Sequence, residues 1–240
     1  MATIEELNQR WNSFIAKLKD RFFEVLKQAE EPLNEVINNL QYDTVILINI
    51  KTGLENQTVN QLSAKASEGF NKLSAEMDQV KSFSWGERTA RTKMLDDFKE
   101  WLNVEFLKFE TALFAKAARK IYDNVKQHID EKKMHRCTQC GADLKINIYS
   151  FMAINIKCDS CGSVNTYQPD DRVRALEYYV ITNLAEEYAL PAKIQARHDP
   201  GAQKEYYRMY YSYLMENVPD KKEYYERDMN ERLTNPMFSM

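Results

Sequence analysis

Glycine and proline are scarce in this sequence, with only six of each among 240 residues. Both residues are frequent in the turns of β-sandwiches and barrels and in low-complexity linkers, so their scarcity argues against those classes. Long helices, which tolerate neither residue well in their interiors, are favoured instead. Hydrophobic residues make up 44% and charged residues 29% of the chain, which is typical of a folded globular protein rather than a disordered one.

Long apolar runs and an excess of positive charge are also missing. The longest apolar stretch, Val45–Ile50, contains Asn49 and is far shorter than the roughly 18 residues that span a bilayer, so no transmembrane helix is predicted. The first residues lack a basic stretch followed by an apolar run, so no secretory signal is predicted. A net charge of -3 provides no general attraction for nucleic acid.

Two segments of the N-terminal half place apolar residues at alternating steps of three and four, the period of an amphipathic helix. The first stripe comprises Ile4, Leu7, Trp11, Phe14, Leu18, Phe22, Val25 and Ala29. The second comprises Val59, Leu62, Ala66, Phe70, Leu73, Met77 and Val80. Each segment is therefore predicted to form a helix that buries one face.

Local signals predict where several helices begin and break. Thr3 with Glu6, and Ser84 with Glu87, have the spacing of a capping box at a helix N-terminus. Pro32 predicts a break in the first helix or the first turn of a new one.

The segment Thr44–Lys51 (TVILINIK) is ambiguous. Its β-branched residues favour a strand, whereas its helical neighbours favour a buried helix end. We expect a strand or an extended segment here.

A long helix is predicted from about Thr89 to His135, and at 1.5 Å per residue it would measure about 60–70 Å. Its inner face comprises Leu95, Phe98, Leu102, Phe106, Phe109, Leu113, Ile121 and Val125. Together with the two earlier stripes, this helix predicts an antiparallel helical bundle or coiled coil.

Three further helices are predicted toward the C-terminus. The first begins at the capping residues 169–171 and is expected to be perturbed or to end at Pro191, and the others span about 203–217 and 221–233. Ten of the 14 tyrosines lie between positions 178 and 225. Five of these tyrosines cannot all lie on one face of a helix, so they indicate a two-sided core, a protein interface or a surface for base stacking. The five are Tyr206, Tyr207, Tyr210, Tyr211 and Tyr213.

All four cysteines lie in two Cys-x-x-Cys-Gly sequences, Cys137–Gly141 and Cys158–Gly162. Each is expected to fold as a tight turn that aims two sulfurs at one point, with a glycine that permits positive φ. Alternating apolar and polar residues at 144–149 and 154–157 predict a β-hairpin that brings the turns together. Four thiolates would then complete a tetrahedral site for structural Zn²⁺, with Cys137, Cys140, Cys158 and Cys161 as ligands.

The paired turns resemble the zinc-ribbon family over about residues 136–167, and the rest of the chain resembles no family that we recognise. Thr138 and Ser160 stand where ribbon turns often carry a proline or an aromatic residue. Members of this family occur in transcription, replication and transposition proteins, so the resemblance implies a possible nucleic-acid partner. Against that, residues 137–161 contain only two Lys and two Asp.

Other chemistry at the cysteines is less favoured. Redox activity of one Cys-x-x-Cys would need a thioredoxin-like βαβ context, which does not flank these pairs. A catalytic zinc would need an open coordination position, and four cysteines leave none. Iron in a rubredoxin-like site remains open because iron also accepts thiolates. His135 is a possible competing ligand, and Lys133, Arg136, Lys145 and Lys157 could offset the negative charge of the site.

No catalytic constellation is recognisable elsewhere. The sequence contains no P-loop, G-x-S-x-G, G-x-G-x-x-G or Glu-x-x-His pattern. His128 and His135 are seven residues apart, which surface positions explain better than a catalytic pair. No catalytic residue is therefore predicted, and we expect a protein that is not an enzyme.

The sequence thus predicts a mostly α protein, with a helical bundle or coiled coil at 1–135, a small β zinc ribbon at 136–168 and a Tyr-rich helical segment at 169–240. The predicted function is a cytoplasmic, zinc-binding assembly or adaptor protein that binds a protein partner or a second copy of itself. The clustered cysteines favour the cytoplasm because thiols stay reduced there. A nucleic-acid-binding protein is the alternative.

Overall fold

The protein is mostly α-helical with a small β insertion, as the sequence predicts. A computed structural model describes residues 3–132, 135–145, 153–168 and 171–234. The helices of these ranges are α1 (Ile4–Asn38), α2 (Val45–Glu55), α3 (Gln61–Val80), α4 (Trp85–Lys132), α5 (Asp171–Leu176), α6 (Thr182–Ala196), α7 (Gln203–Asn217) and α8 (Lys222–Thr234).

Short segments with other helical hydrogen bonding join several of these helices. Asn56–Asn60 is a π-helical segment between α2 and α3, and Glu177–Ile181 is another between α5 and α6. Pro200–Ala202 and Pro219–Lys221 form 3₁₀ turns before α7 and α8. None of the helices in the described ranges is both long enough and apolar enough to cross a membrane.

The chain divides into two compact units. The first contains residues up to 36 and residues 45–110, and the second contains residues 37–44 and those from 111 onward. Helices α1 and α4 therefore each contribute residues to both units. The division expected from the sequence, at 135 and 168, remains a prediction.

The core of the first unit is built from the two predicted N-terminal stripes. Helix α1 buries Leu7, Trp11, Leu18, Phe22 and Val25, and helix α3 buries Leu62, Ala66, Phe70, Leu73 and Met77. The ring centroids of Trp11 and Phe70 lie 5.7 Å apart in an edge-to-face arrangement, which favours close packing of the two helices. Val80, the last member of the second stripe, is exposed instead.

Neither proline ends the helix that contains it. The break expected at Pro32 is absent, and of the two outcomes expected at Pro191, a perturbation or an end, the end is wrong. Helix α1 continues through Pro32 to Asn38, and α6 continues through Pro191 to Ala196. A proline inside a helix costs roughly 3 kcal/mol. Burial of Leu33 and Ile37 directly after Pro32 offsets that cost, since each fully buried aliphatic side chain contributes roughly 1.5–3 kcal/mol.

Residues 45–51 are helical, so the predicted strand is wrong. They begin α2, in which Leu47 and Leu54 are buried two turns apart. Val45, Ile46 and Ile48 gave the segment its strand-like composition, yet they are about half exposed. Tertiary packing of the two leucines thus prevails over local β-propensity, which is a weak preference.

The long predicted helix is α4, which begins four residues earlier than expected, at Trp85. The capping box at its start is present, because Glu87 Oε2 accepts the Ser84 N–H at 2.9 Å and Glu87 N donates to Ser84 Oγ at 3.3 Å. Its inner face contributes buried residues to both units. Leu95, Phe98, Leu102 and Phe106 belong to the first unit, and Leu113, Ile121 and Val125 belong to the second.

The β insertion contains strands β1 (Ile154–Lys157) and β2 (Val164–Tyr167), which pair antiparallel with Ile154 opposite Tyr167 and Lys157 opposite Val164. In the described ranges, the partner of β1 follows the second cysteine pair. The predicted pairing of 144–149 with 154–157 remains a prediction. Residues 146–149 of the other predicted strand lie outside the described ranges. Leu144 and Lys145, just before them, are not in a strand.

Helices α6, α7 and α8 pack around a tyrosine-rich core cluster of the second unit. Its buried members are Ile181, Ala185, Tyr211, Leu214, Val218 and Tyr225, with Tyr207, Tyr210 and Tyr213 packed against them. Both faces of the tyrosine-rich helix α7 thus contribute to the core, which agrees with the two-sided interpretation of its sequence.

Three tyrosines of α7 and α8 donate hydrogen bonds to carboxylates, which also form ion pairs with basic side chains. Tyr206 Oη donates to Glu186 at 2.9 Å, Tyr225 Oη donates to Glu177 at 3.4 Å, and Tyr211 Oη donates to Asp228. The same carboxylates pair with Lys193, Lys221 and Arg232 respectively. Burial and these carboxylates raise the phenol pKa of all three tyrosines, so the hydroxyls remain protonated donors.

Candidate metal centre

The first cysteine pair lies in a turn closed by two backbone hydrogen bonds. Cys137 N donates to Ala142 O at 2.7 Å, and Gly141 N donates to Cys137 O at 2.9 Å. Gly141 has a φ of 73°, a left-handed conformation that a residue without Cβ adopts at little cost. The turn therefore holds Cys137 and Cys140 on the same side, as their spacing predicts.

The second cysteine pair repeats this geometry. Cys158 N donates to Ser163 O at 2.9 Å, and Gly162 N donates to Cys158 O at 2.9 Å. Gly162 has a φ of 76°, within a few degrees of its counterpart in the first turn. The repeated Cys-x-x-Cys-Gly pattern thus encodes the same local structure twice.

The four sulfurs converge on one point. All four Sγ atoms lie within 4.8 Å of one another, with 3.5 Å between Cys137 and Cys161 and 3.6 Å between Cys140 and Cys158. A disulfide would need about 2.05 Å, so these pairs are thiols. Sulfurs about 2.3 Å from a central tetrahedral ion lie about 3.8 Å apart, which these separations approach. The cluster can therefore hold a metal ion.

Each turn buries its first cysteine and exposes its second. Cys137 and Cys158 are 3% and 2% exposed, whereas Cys140 and Cys161 are open to solvent. The buried sulfurs anchor the cluster to the β insertion, and the exposed ones form its outer side.

Several donors surround Cys137 and favour its thiolate form. Ser163 Oγ lies 3.0 Å from Cys137 Sγ, and Gln139 N donates to the same sulfur at 3.4 Å. The Ser163 hydroxyl, then the Cys140 amide and other donors, lower the pKa of Cys137 to about 5. Cys137 is therefore suited to bind a cation as an anion at neutral pH.

The other thiols show the conflict that arises when like charges share one site. Hydrogen bonds from the side chain and the backbone of Ser163 lower the pKa of Cys161. The Ala142 amide also favours a lower pKa for Cys140. The neighbouring sulfurs and burial outweigh this effect and raise the pKa of Cys140 to about 12. A divalent cation resolves the conflict by neutralising the sulfurs, so metal binding should release protons.

Two side chains at the cluster were missed by the sequence interpretation. Ser163 Oγ lies between two sulfurs, 3.0 Å from Cys137 Sγ and 3.1 Å from Cys161 Sγ. Asn165, on β2, is buried beside the first turn and contacts both Cys137 and Thr138. Neither residue belongs to a periodic pattern or a ligand motif, so the sequence carried no signal for them.

Two of the four basic residues expected to offset the sulfur charge have carboxylate partners instead. Arg136 pairs with Asp143 at 3.5 Å, and Lys145 pairs with Asp159 at 3.0 Å, all on exposed side chains. Solvated pairs of this kind contribute little to stability or to the field at the sulfurs. Lys157 is exposed, and Lys133 lies outside the described residues.

The histidines lie in other contacts. His135, the possible competing ligand, packs edge-on against Tyr167 with 4.9 Å between ring centroids, and burial lowers its pKa. His128 lies against Arg172, whose Nη1 is 2.7 Å from the imidazole Nδ1. The metal-binding group among the described residues consists of the four cysteines alone.

Comparison with protein-family models, with curated proteins and with solved structures finds no match for this chain.

Proposed function

We propose that this chain is a non-enzymatic assembly or adaptor protein whose zinc-ribbon-like module is held together by structural Zn²⁺. The convergence of four cysteine sulfurs from two matching turns carries this proposal. Zinc suits the site because it favours four thiolates in tetrahedral geometry and has no redox chemistry of its own.

A structural role is favoured over a catalytic one because the protein supplies all four ligands. Catalytic zinc sites keep a position for water or substrate, and a site filled by Cys137, Cys140, Cys158 and Cys161 has none. The module gains its folding free energy from the metal, since two-stranded hairpins are marginal alone.

The proposed partner is another protein, or a second copy of this chain. Val45, Ile46 and Ile48 on α2 are 54%, 50% and 47% exposed, and three neighbouring aliphatic residues are more than the isolated exposure normal for a surface. Nucleic acid is less favoured, because Arg136 and Lys145 are paired with carboxylates rather than arranged as a basic patch.

A reducing compartment such as the cytoplasm fits this site. All four cysteines are free thiols, and metal binding requires that they remain so.

Native mass spectrometry of protein purified under reducing conditions tests the metal assignment. We expect one zinc per wild-type chain and little in Cys140→Ser, while Ser160→Ala, an exposed change within the second turn, retains the metal. A colourless sample supports zinc, whereas thiolate-to-iron absorption in the visible would assign iron. Metal-free thiols, or cysteines joined as disulfides, would overturn the proposal.

Light scattering and affinity purification test the partner assignment. We expect either a mass that rises with concentration or a co-purifying protein that survives nuclease treatment. Either association should be lost in Ile46→Ser, which removes an exposed aliphatic side chain of α2. Binding to a mixed DNA and RNA pool that falls steeply as salt rises would instead establish the nucleic-acid alternative.

A further inference from the structure

Asn165 links the two cysteine turns. It lies on β2, two residues after Ser163, and its side chain extends to the first turn. The residue is only 7% exposed. A buried amide must satisfy its donors and its acceptor within the protein, so its contacts define its orientation.

The first turn fixes which end of the Asn165 amide faces the sulfur. Thr138 N donates to Asn165 Oδ1 at 2.8 Å, and Thr138 Oγ1 lies 3.0 Å from the same oxygen. Because a backbone N–H can only donate, the atom opposite it must be the oxygen. Asn165 Nδ2 is therefore the group that faces Cys137 Sγ, at 3.6 Å.

The same Nδ2 group also contacts the second turn, where it donates to Ser163 O at 3.3 Å. One side chain thus fixes the backbone of the first turn, contacts the sulfur of Cys137 and holds the segment that follows Cys161. These contacts can orient a ligand only if both turns are in place at once.

We propose that Asn165 is a positioning residue of the metal centre, which holds Cys137 Sγ in place and withdraws negative charge from it by N–H···S donation. This inference rests on the proposed metal site. Groups that orient metal ligands in this way typically change metal affinity by about 10–100-fold when they are replaced.

Asn165→Asp removes the Nδ2 donor, which contacts Cys137 Sγ and Ser163 O, and keeps the acceptor. The aspartate keeps an oxygen for Thr138 N and Thr138 Oγ1, but it has no N–H to offer to Cys137 Sγ. With Co²⁺ as a spectroscopic substitute for zinc, we expect the sulfur-to-cobalt charge-transfer band to move to longer wavelength, because the thiolate becomes richer in electrons. We also expect metal transfer to a competing chelator to be about tenfold faster or more.

Thr138→Val is the matched control. It removes the hydroxyl contact to Asn165 Oδ1 but keeps the backbone N–H donor and the Nδ2–Sγ contact. We expect its cobalt band to be unchanged and its release rate to stay within about twofold of wild type, as for the loss of a single neutral hydrogen bond of roughly 0.5 kcal/mol.

If the Asp variant does not bind cobalt, Asn165→Ala provides the same test of the cobalt band, because it introduces no buried carboxylate. A shifted band in the Ala variant supports the proposal, and an unshifted band overturns it. A wild-type band with faster release in the Asp variant would show that the amide only ties the turns together, which overturns the proposal. A wild-type band with a wild-type release rate would overturn it as well. If wild-type protein itself gives no cobalt–thiolate band, the metal site fails rather than the role of Asn165.

Discussion

At the scale of single residues, Gly69 shows how a local helix preference can conflict with packing. Gly69 lies inside α3, where a methyl group in place of its hydrogen would lie 2.5 Å from Cε1 of Phe14. Gly53 lies inside α2 with nothing within 4 Å of the same position. The two glycines are equivalent in helix propensity but not in the space around them.

We predict opposite effects on stability for the two Gly→Ala changes. Gly53→Ala should raise the free energy of unfolding by about 0.5–1 kcal/mol, the gain in helix propensity. Gly69→Ala should lower it by about 1 kcal/mol, because overpacking typically costs about 1–3 kcal/mol and outweighs that gain. Urea unfolding measures both.

Phe14→Leu provides the control for the clash. In the Phe14→Leu protein, Gly69→Ala should lose most of its destabilising effect, because the aromatic ring that the alanine methyl group would contact is absent. A Gly69→Ala variant as stabilised as Gly53→Ala would refute the steric explanation.

The candidate site was predictable at this scale only for residues that belong to a motif. The spacing of the cysteines is sufficient by itself to predict that all four sulfurs meet in one cluster. Asn165 and Ser163 escaped prediction because a single polar side chain has no period, and its role depends on a turn that folds against it. Asn165 lies on β2, and its contact with Cys137 joins residues 28 positions apart in the sequence.

At the scale of secondary-structure elements, periodicity predicted the long helices well and local propensity predicted their limits poorly. The stripes of α1, α3 and α4 are buried largely as expected, because many apolar residues reinforce one another. Pro32, Pro191 and the β-branched residues of α2 misled the interpretation, since each is one local preference of a few kcal/mol at most. The free energy gained by burying neighbouring aliphatic residues exceeded each of these local preferences.

The start of α4 yields a prediction about pH. Glu87 accepts from Lys81 Nζ at 2.8 Å and from Ser84 N at 2.9 Å, and these hydrogen bonds lower its pKa to about 2. Because the pKa is lower in the folded protein, the stabilisation is present in full above the ordinary value of 4.5. It is lost as the pH falls from there through about 2.

We therefore expect Glu87→Ala to be less stable than wild type at neutral pH and to approach it in acid. Urea unfolding at a series of pH values measures the difference between the two proteins. Glu226→Ala, an exposed change on α8, controls for the loss of one negative charge. A Glu87→Ala deficit that stays constant down to acid pH would contradict the assignment.

At the scale of the whole molecule, most buried apolar residues lie in the helices of the two units, whereas the cysteine module, which belongs to the second unit, depends on its sulfurs. Cys137, Cys158 and Asn165 supply much of what is buried in that module. We predict that removing the metal with a chelator leaves the helical circular dichroism signal nearly unchanged and abolishes amide exchange protection in residues 136–145 and 154–167.

Restoring zinc should recover the exchange protection, which separates metal loss from irreversible damage. A collapse of the helical signal on chelation would mean that the helical units need the module to fold. That outcome would contradict the independence inferred from their separate apolar stripes.

The unequal exposure of the four sulfurs gives ligand exchange a direction. A chelator, an oxidant or an incoming metal meets Cys140 and Cys161 first, since Cys137 and Cys158 face the interior of the module. Departure of the ion should therefore begin at the outer pair while the inner pair still holds it. Alkylation followed by mass spectrometry would then label Cys161, which is exposed and has a lowered pKa, before the buried Cys137 and Cys158.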